Sequence, residues 1–301
     1  MISWLLIIIL AYFFFALAFF GDKLVLSGPP EAKLYTFYVG FLNILIIFLI
    51  PFTKFSVPNS TGMIWIILEA VVYVAGLYTM FIALEKFEVS RVMTVVGAIQ
   101  PILILILAWF FWGAQIITGM NFLAFAFLFL GSVIISMQKK LQINKAYLML
   151  IFFSSFMFSL DYVFSKLVFL NQPFLQGLIW MRMFSFLFVL FFLFDKKLRS
   201  QIFTKKANLD KKTGAIFLLT QSVGGTANIL QSFSISLAPV AYLATINSLR
   251  GVQYVFLFII TLFFSYFFPK IMKEDISKKA LIQKAISIFF IVIGLAILVI
   301  N

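Results

Sequence analysis

The stretch that decides the fold is Phe19–Pro30, FFGDKLVLSGPP, because much of it returns later as VFSKLVFLNQP, Val163–Pro173. The two stretches share the tripeptide Lys-Leu-Val and a closing proline at a single shift of 143 positions. In both, a lysine follows a strongly apolar run. Similarity of this kind indicates an internal duplication.

A second match supports the duplication: TGMIW begins at Thr61 and TGAIF begins at Thr213, a shift of 152 positions. The larger shift reflects a longer basic connector in the second half. Chance similarity between apolar segments is the alternative, and matches of Phe on Phe carry little weight in a chain with 42 phenylalanines. The shared Lys-Leu-Val and Pro favour two repeats, 1–140 and 141–301.

The composition is that of a membrane protein. Of 301 residues, 64% are hydrophobic and 11% are charged, and the mean hydropathy is +1.14. A soluble domain is about half apolar and about one quarter charged. The formal charge of +13 comes mostly from cations beside apolar runs, which favours loops facing the cytoplasm and anionic lipid rather than nucleic acid.

Ten apolar runs have the length of a membrane-spanning helix, roughly 20 residues. Runs such as LLIIILAYFFFALAFF lack the alternation of a barrel strand, so helices are predicted. The fold class is therefore an all-α integral membrane protein with ten transmembrane helices. The predicted spans are 2–26, 33–52, 62–84, 90–112, 116–137, 147–170, 175–194, 213–237, 240–268 and 280–300.

Five helices per repeat have a geometric consequence: the second repeat must enter the bilayer from the opposite side. This predicts two inverted five-helix repeats, the architecture of many secondary transporters. Symmetry-related helices would then surround a central cavity near the midplane of the membrane. Rocking of one half against the other would expose that cavity to each side in turn.

The pattern resembles the EamA-type ten-helix members of the drug/metabolite transporter superfamily along essentially the whole chain. The resemblance rests on a lysine closing the first helix of each half, Lys23 and Lys166, and on a proline-containing turn before the next helix. Arg182 lies nine residues beyond Pro173, as the family's recurrent arginine does, and Pro101 in AIQPILIL matches a proline in the fourth helix. The resemblance implies this fold and the export of small organic metabolites.

Three positions depart from the family pattern. The first-half arginine position is Val39, the usual Gly-Glu pair after the fourth helix reads Gly113-Ala114, and its second-half counterpart reads Pro269-Lys270. The motifs that match therefore indicate fold and transport class, and leave the substrate open among amino acids, nucleosides, sugars and drugs.

The distribution of positive charge and the family resemblance predict opposite orientations of the chain in the membrane. The cations fall in connectors on one side of the predicted membrane, while the other side has little beyond Lys54. The positive-inside rule then places both termini outside, whereas family members are commonly drawn with both termini in the cytoplasm. The cations that decide this are Lys139, Lys140, Lys145, Lys196, Lys197, Arg199, Lys205, Lys206, Lys211, Lys212, Lys270, Lys273, Lys278, Lys279 and Lys284.

A polar face in the third span is the first candidate site. Glu69, Tyr73 and Gly76 are spaced i, i+4 and i+7, so they share one side of a helix. The repeat shift carries them to Gln221, Gly225 and Asn228 in the eighth span. Ionisable groups inside a membrane are costly and mark functional sites. Structural hydrogen bonding between helices is the alternative.

A single acid, Asp161, lies midway along the sixth span. Its counterpart in the first half is Ala18, so the acid belongs to one half only. We expect a partner within hydrogen-bonding reach, and Arg182 or Lys166 are candidates. An Asp-Lys pair that merely joins two helices is the structural alternative. Lys166 itself, like Lys23, is expected to extend to the lipid headgroups.

The ninth span carries the densest polar set, ATINSLRGVQYVF, from Ala244 to Phe256. Asn247, Gly251 and Tyr254 share a face there, with Arg250 and Gln253 beside it. The fourth span places Pro101, preceded by Gln100, at the position equivalent to Gln253. Gly76, Pro101, Gly225 and Gly251 are the candidate hinge or kink positions, because Pro removes a helical hydrogen bond and Gly permits close approach.

These residues suggest a mechanism of transport. Arg182 or Arg250 would bind an anionic group of a small metabolite, the amides and Tyr73 would orient it, and Glu69 or Asp161 would exchange a proton. The function predicted is a secondary transporter in the cytoplasmic membrane that works by alternating access. Its partners are the bilayer, the solute and protons; no nucleic acid is expected, and the oligomeric state is open.

Two other classes of function stay open. A passive channel or facilitator would use the same fold without coupling. An intramembrane enzyme is less favoured, because the chain has no His and no Cys and no Gly-x-Gly-Asp sequence, although a Ser-Lys dyad stays open. The same absences remove disulfides and His- or Cys-based metal sites, so we predict no enzyme activity, no cofactor and no metal.

Overall fold

The computed structural model describes residues 3–25, 32–86, 89–113, 119–136, 145–204, 211–267 and 278–300. This part of the chain is 94% helical and contains no strand. The helices are α1 (Ser3–Val25), α2 (Ala32–Leu42), α3 (Ser60–Lys86), α4 (Val89–Trp112), α5 (Gly119–Ser136), α6 (Lys145–Asn171), α7 (Phe174–Leu190), α8 (Lys196–Thr204), α9 (Lys211–Leu237), α10 (Leu243–Ser248), α11 (Arg250–Phe267) and α12 (Lys278–Ile300). Three 3₁₀ segments extend or precede them: Asn43–Phe52, Phe191–Phe194 and Val240–Tyr242.

Helical structure occupies each of the ten predicted spans. Eight of these helical segments are long and apolar enough to cross a membrane, and Gly119–Ile135 is a shorter apolar helix. The all-helical membrane class is thus confirmed. The arrangement of ten membrane crossings in two inverted repeats stays a prediction, as does the division of the sequence at residue 140.

Two features of the second half were not predicted. The basic connector after the seventh span contains a short helix, α8, because its apolar residues Leu198 and Ile202 lie one turn apart and pack against the bundle. The ninth span is not one helix: α10 ends at Ser248, and α11 begins at Arg250. The hydrogen bond from Val252 N to Leu249 O, at 2.8 Å, tightens the backbone at this break.

The described helices form two compact units. The first, unit 1, contains residues 1–27, 108–139 and 209–301. Within it α1 packs along α9, and α5 packs along α12 and against α11. Buried hydrogen bonds hold α1 in place: the Tyr12 hydroxyl donates to Ile246 O at 2.7 Å, and the Ser234 hydroxyl donates to Trp4 O at 2.8 Å.

The second, unit 2, contains residues 28–107 and 140–208. Within it α3 packs along α6 and against α7, and α2 packs against α3 and α7. One apolar cluster includes Phe37, Val74, Val189 and Leu198, and so joins α2, α3, α7 and α8. Each unit takes helices from both halves of the chain.

Several predictions concern residues outside the described ones. The side chains of Asp22 and Lys23 are among these, as are Ala114, Pro269 and Lys270. Six of the fifteen connector cations that decide the orientation lie there too: Lys139, Lys140, Lys205, Lys206, Lys270 and Lys273. The orientation of the termini therefore stays a prediction.

Candidate functional site

The polar face predicted for the third span lies on α3 within unit 2. Glu69 is fully buried, at 0% exposure, and Tyr73, one turn further along, is half-buried. Gly76 completes the face and packs on the ring of Phe158, where an added Cβ would lie 3.2 Å from the nearest ring carbon. A carboxyl group is thus held inside a helix bundle.

Arg182 of α7 provides the cation of this site. Its Nη1 lies 3.8 Å from Glu69 Oε1, and its guanidinium carbon lies 4.4 Å from the centre of the Tyr73 ring. Arg182 is only 6% exposed. The contact with Tyr73 is a cation–π interaction, while the distance to Glu69 exceeds that of a hydrogen bond.

Asp161 of α6 provides a second carboxyl group. The contacts of Gly76 with Phe158 and of Trp65 with Phe164 show that α3 and α6 run antiparallel, which places Asp161 opposite Glu69. The two carboxyl groups adjoin, and Arg182 acts electrostatically on both. Of the two cations considered for Asp161, the structure thus places Arg182 near it. Lys166, which we expected to reach the headgroups, is instead buried at 4% exposure.

The charges of this cluster do not balance when both acids are ionised. Two carboxylates and one guanidinium leave one negative charge in the interior. Neither oxygen of Glu69 has a hydrogen-bond partner, and neither does Asp161 Oδ1. A buried charge is tolerated only when it is paired and hydrogen-bonded, so the cluster becomes neutral when it holds one proton.

Polar groups from two more elements surround the cluster. Asn43, in the 3₁₀ segment after α2, adjoins the hydroxyl of Tyr73. Ser159 of α6 donates to Gln100 O of α4 at 3.3 Å. Sequence reasoning missed Asn43, although it is the only polar residue between Val39 and Phe52 and could have been found on that ground.

The predicted residues of the eighth and ninth spans lie in unit 1. Gln221 and Asn228 of α9 are half-buried, and Gly225 between them is exposed with open space where a Cβ would be. Asn247 of α10 is 1% exposed, and neither its amide nitrogen nor its oxygen has a hydrogen-bond partner.

The polar residues of α11 follow directly after the helix break. Arg250 acts electrostatically on Tyr254, one turn further along. Gln253 is 9% exposed. Asn247 lies on the other side of the break, in α10, so the shared helix face of Asn247, Gly251 and Tyr254 stays a prediction.

The predicted hinge positions differ in their surroundings. Pro101 lies inside α4, which continues to Trp112, so the helix does not end there. The break in the ninth span is at Leu249, two residues before Gly251. Gly251 serves close packing instead, because an added Cβ would lie 3.1 Å from Ser132 Cα of α5.

A helical chain with eight segments able to cross a bilayer, and with ionisable residues buried among them, is an integral multi-pass membrane protein. The family model of the EamA-like transporter family matches residues 2–137. These residues are slightly under half of the chain, and over them the resemblance to EamA-type proteins of the drug/metabolite transporter superfamily is confirmed. The match indicates a membrane transporter of this type. The family is a transporter family and is not known for enzymes.

Comparison with solved structures gives similarity over the whole chain. A protein described as "Crystal structure of protein" superposes with a TM-score of 0.67 and has 16% sequence identity, and the match covers 98% of this chain and 95% of the other. At that identity the likeness shows the fold alone. The comparison with curated protein sequences found no similar protein.

Proposed function

We propose that this protein is a proton-coupled secondary carrier that exports small organic metabolites across the cytoplasmic membrane by alternating access. The observation that supports the proposal is the buried cluster of Glu69, Asp161 and Arg182. It has one acid more than it has cations, so it can take up one proton and release it. Coupling requires a group of this kind where the solute binds.

Arg182 gives the cluster a second role. A solute with a carboxylate or phosphate would compete with the two acids for the guanidinium, because all three are anions and Arg182 is a single bidentate donor. Tyr73 and Asn43 present a hydroxyl and an amide beside it. Binding of such a solute would favour the protonated cluster, and loss of the proton would favour release. Proton and solute would then bind together and move in the same direction. Export would therefore be driven by the outward gradient of the solute, which carries the proton with it.

The test uses purified protein in vesicles that contain a pH-sensitive dye. Labelled amino acids, nucleosides and sugars are screened by counterflow, and the solute found is then driven by an imposed pH gradient. We expect saturable counterflow and a gradient-dependent flux. The variants Glu69→Gln and Asp161→Asn should keep counterflow, since the helices stay in place, and should lose the response to the pH gradient.

The matched control is Glu85→Gln, which removes an exposed acid from the end of α3 in the same unit. It should leave the pH response unchanged. A pH response that survives in both Glu69→Gln and Asp161→Asn would remove the proton role. Flux without saturation or counterflow would show a passive facilitator instead.

A further inference from the structure

A short basic helix lies directly after the seventh span. The apolar segment ends at Phe194, and α8 begins two residues later, at Lys196. Asp195 lies between them and caps α8: its Oδ1 accepts from Lys197 N at 2.9 Å and from Leu198 N at 3.4 Å. The chain therefore turns into α8 at the level where the apolar span stops.

One side of α8 is fastened to unit 2. Leu198 is only 2% exposed and packs in the cluster that contains Phe37, Val74 and Val189, while Ile202 packs against the same cluster. Asp195 also accepts a hydrogen bond from Lys33 at the start of α2. These contacts fix the height and direction of α8 relative to the apolar span that precedes it.

The rest of the helix surface is basic and exposed. Lys196, Lys197 and Arg199 are all exposed, as is Ser200. Phe191 and Phe194, which end the preceding segment, are 58% and 81% exposed. Cations beside exposed aromatic rings, at the end of an apolar span, form the composition of a helix that lies in the membrane interface.

We propose that α8 is an interfacial helix whose exposed cations bind the phosphates of anionic phospholipids in the adjoining leaflet. The apolar anchor holds the helix at headgroup level, and the three cations project from its flanks and outer side. Anionic headgroups attract cations near the surface strongly enough to concentrate such lipids locally. Phe191 and Phe194 would enter the acyl boundary just below.

The absence of cysteine from the chain makes a site-specific test direct. Ser200→Cys is labelled with a fluorophore, and the full-length protein is placed in bilayers that contain phosphatidylcholine with a headgroup nitroxide as quencher. The unlabelled host lipid is either phosphatidylcholine or phosphatidylglycerol. Phosphatidylglycerol that gathers at α8 displaces the quencher. We expect the quenching constant to fall about fivefold, the preference that one headgroup-bound cation gives, and to recover in high salt.

Matched variants distinguish an effect of the α8 cations from an effect of altered folding. Lys196, Lys197 and Arg199 are replaced together by Gln, which should abolish the difference between hosts, whereas the charge-conserving replacement by Arg, Arg and Lys should retain it. A label at Ser60→Cys, exposed at the start of α3, should show no difference. Normal elution of each variant on gel filtration shows that it folds.

Four results would overturn the proposal. Equal quenching in the two hosts, or a difference that survives the triple Gln replacement, would show that α8 does not select anionic lipid. Loss of the difference on adding inorganic phosphate at constant ionic strength would identify a free anion as the ligand. An absence of quenching in both hosts would place α8 away from the bilayer and favour a soluble acidic partner.

Discussion

Replacing Arg182 by Gln should destabilise the protein far more than replacing Glu69 by Gln. The wild-type cluster contains two acids and one cation. Glu69→Gln leaves Arg182 with Asp161, a balanced pair, so we expect a cost of about 1 kcal/mol. Arg182→Gln leaves two adjoining buried carboxyl groups without a cation, and breaking a buried pair in this way costs about 3–5 kcal/mol.

Thermal unfolding is measured in mild detergent. The readout is the fraction of protein that remains monodisperse after heating to each temperature. With roughly 2–4 °C per kcal/mol for a chain of this size, Arg182→Gln should lower the midpoint by about 10 °C and Glu69→Gln by only a few degrees. The double variant leaves one carboxyl, which can be neutral, and should recover most of the loss. Arg199→Gln, which removes an exposed cation, is the control and should change little.

The opposite ranking would refute the charge argument. If Arg182→Gln costs no more than Glu69→Gln, the guanidinium does not neutralise the acids. If the costs of the two single variants simply add in the double variant, the two side chains act independently. In either case the cluster would not be one coupled site, and its proposed exchange of a single proton would lose its basis.

Other substitutions test neighbouring contacts. Tyr73→Phe keeps the ring beneath the guanidinium and should be nearly neutral, whereas Tyr73→Leu should lose roughly 1–2 kcal/mol of cation–π stabilisation; thermal unfolding distinguishes them. The hydrogen bond from Lys33, together with two backbone N–H groups, holds the pKa of Asp195 below its ordinary value. Because the pKa of Asp195 is lower in the folded state, the charged carboxylate stabilises the fold. This stabilisation is complete above the ordinary pKa of an aspartate, about 4. It is lost as pH falls through the lower pKa of the folded state. The thermal advantage over Asp195→Asn should therefore be constant from pH 8 to about pH 5 and shrink progressively as pH falls below about pH 4. An advantage that does not change between about pH 5 and about pH 2 contradicts this prediction. Gly40→Ala would place a Cβ against the Val189 side chain, costing about 1–3 kcal/mol, and added Val189→Ala should relieve that clash.

The sequence predicts the local part of this structure well. Apolar runs of helical length locate the spans, since lipid leaves the backbone no alternative. The spacing of Glu69 and Tyr73 predicts a shared face, because a helix repeats every 3.6 residues.

The parts that depend on contacts between distant segments could not be predicted in this way. The role of Lys166 illustrates this: its place near a helix end suggested contact with headgroups, but neighbouring helices bury it. The break at Leu249 is likewise not visible in the apolar run of the ninth span. Gly251 signalled an irregularity nearby, yet its small size is needed for the contact with Ser132.

The packing within each unit bears on the proposed duplication. In unit 1, α1, the first helix of the first half, packs along α9, which contains the third span of the second half. In unit 2, α6 and α3 pack in the same way with the halves exchanged. Two copies of one ancestral segment would produce this reciprocal pairing. Two unrelated halves would not be expected to pair in this way.

The reciprocal pairs differ in charge at equivalent places. In unit 2, Glu69 faces Asp161. The repeat shifts carry these positions to Gln221 and Ala18, and in unit 1 an added Cβ on Gly224 would lie 3.6 Å from the Ala18 Cβ. A small apolar residue thus stands where unit 2 has an acid. If the halves arose by duplication, each copy contributes one carboxyl group, and the pair they form occurs in unit 2 but not at the equivalent place in unit 1. The proposed single proton site accounts for this difference, because a second pair would bury further unbalanced charge.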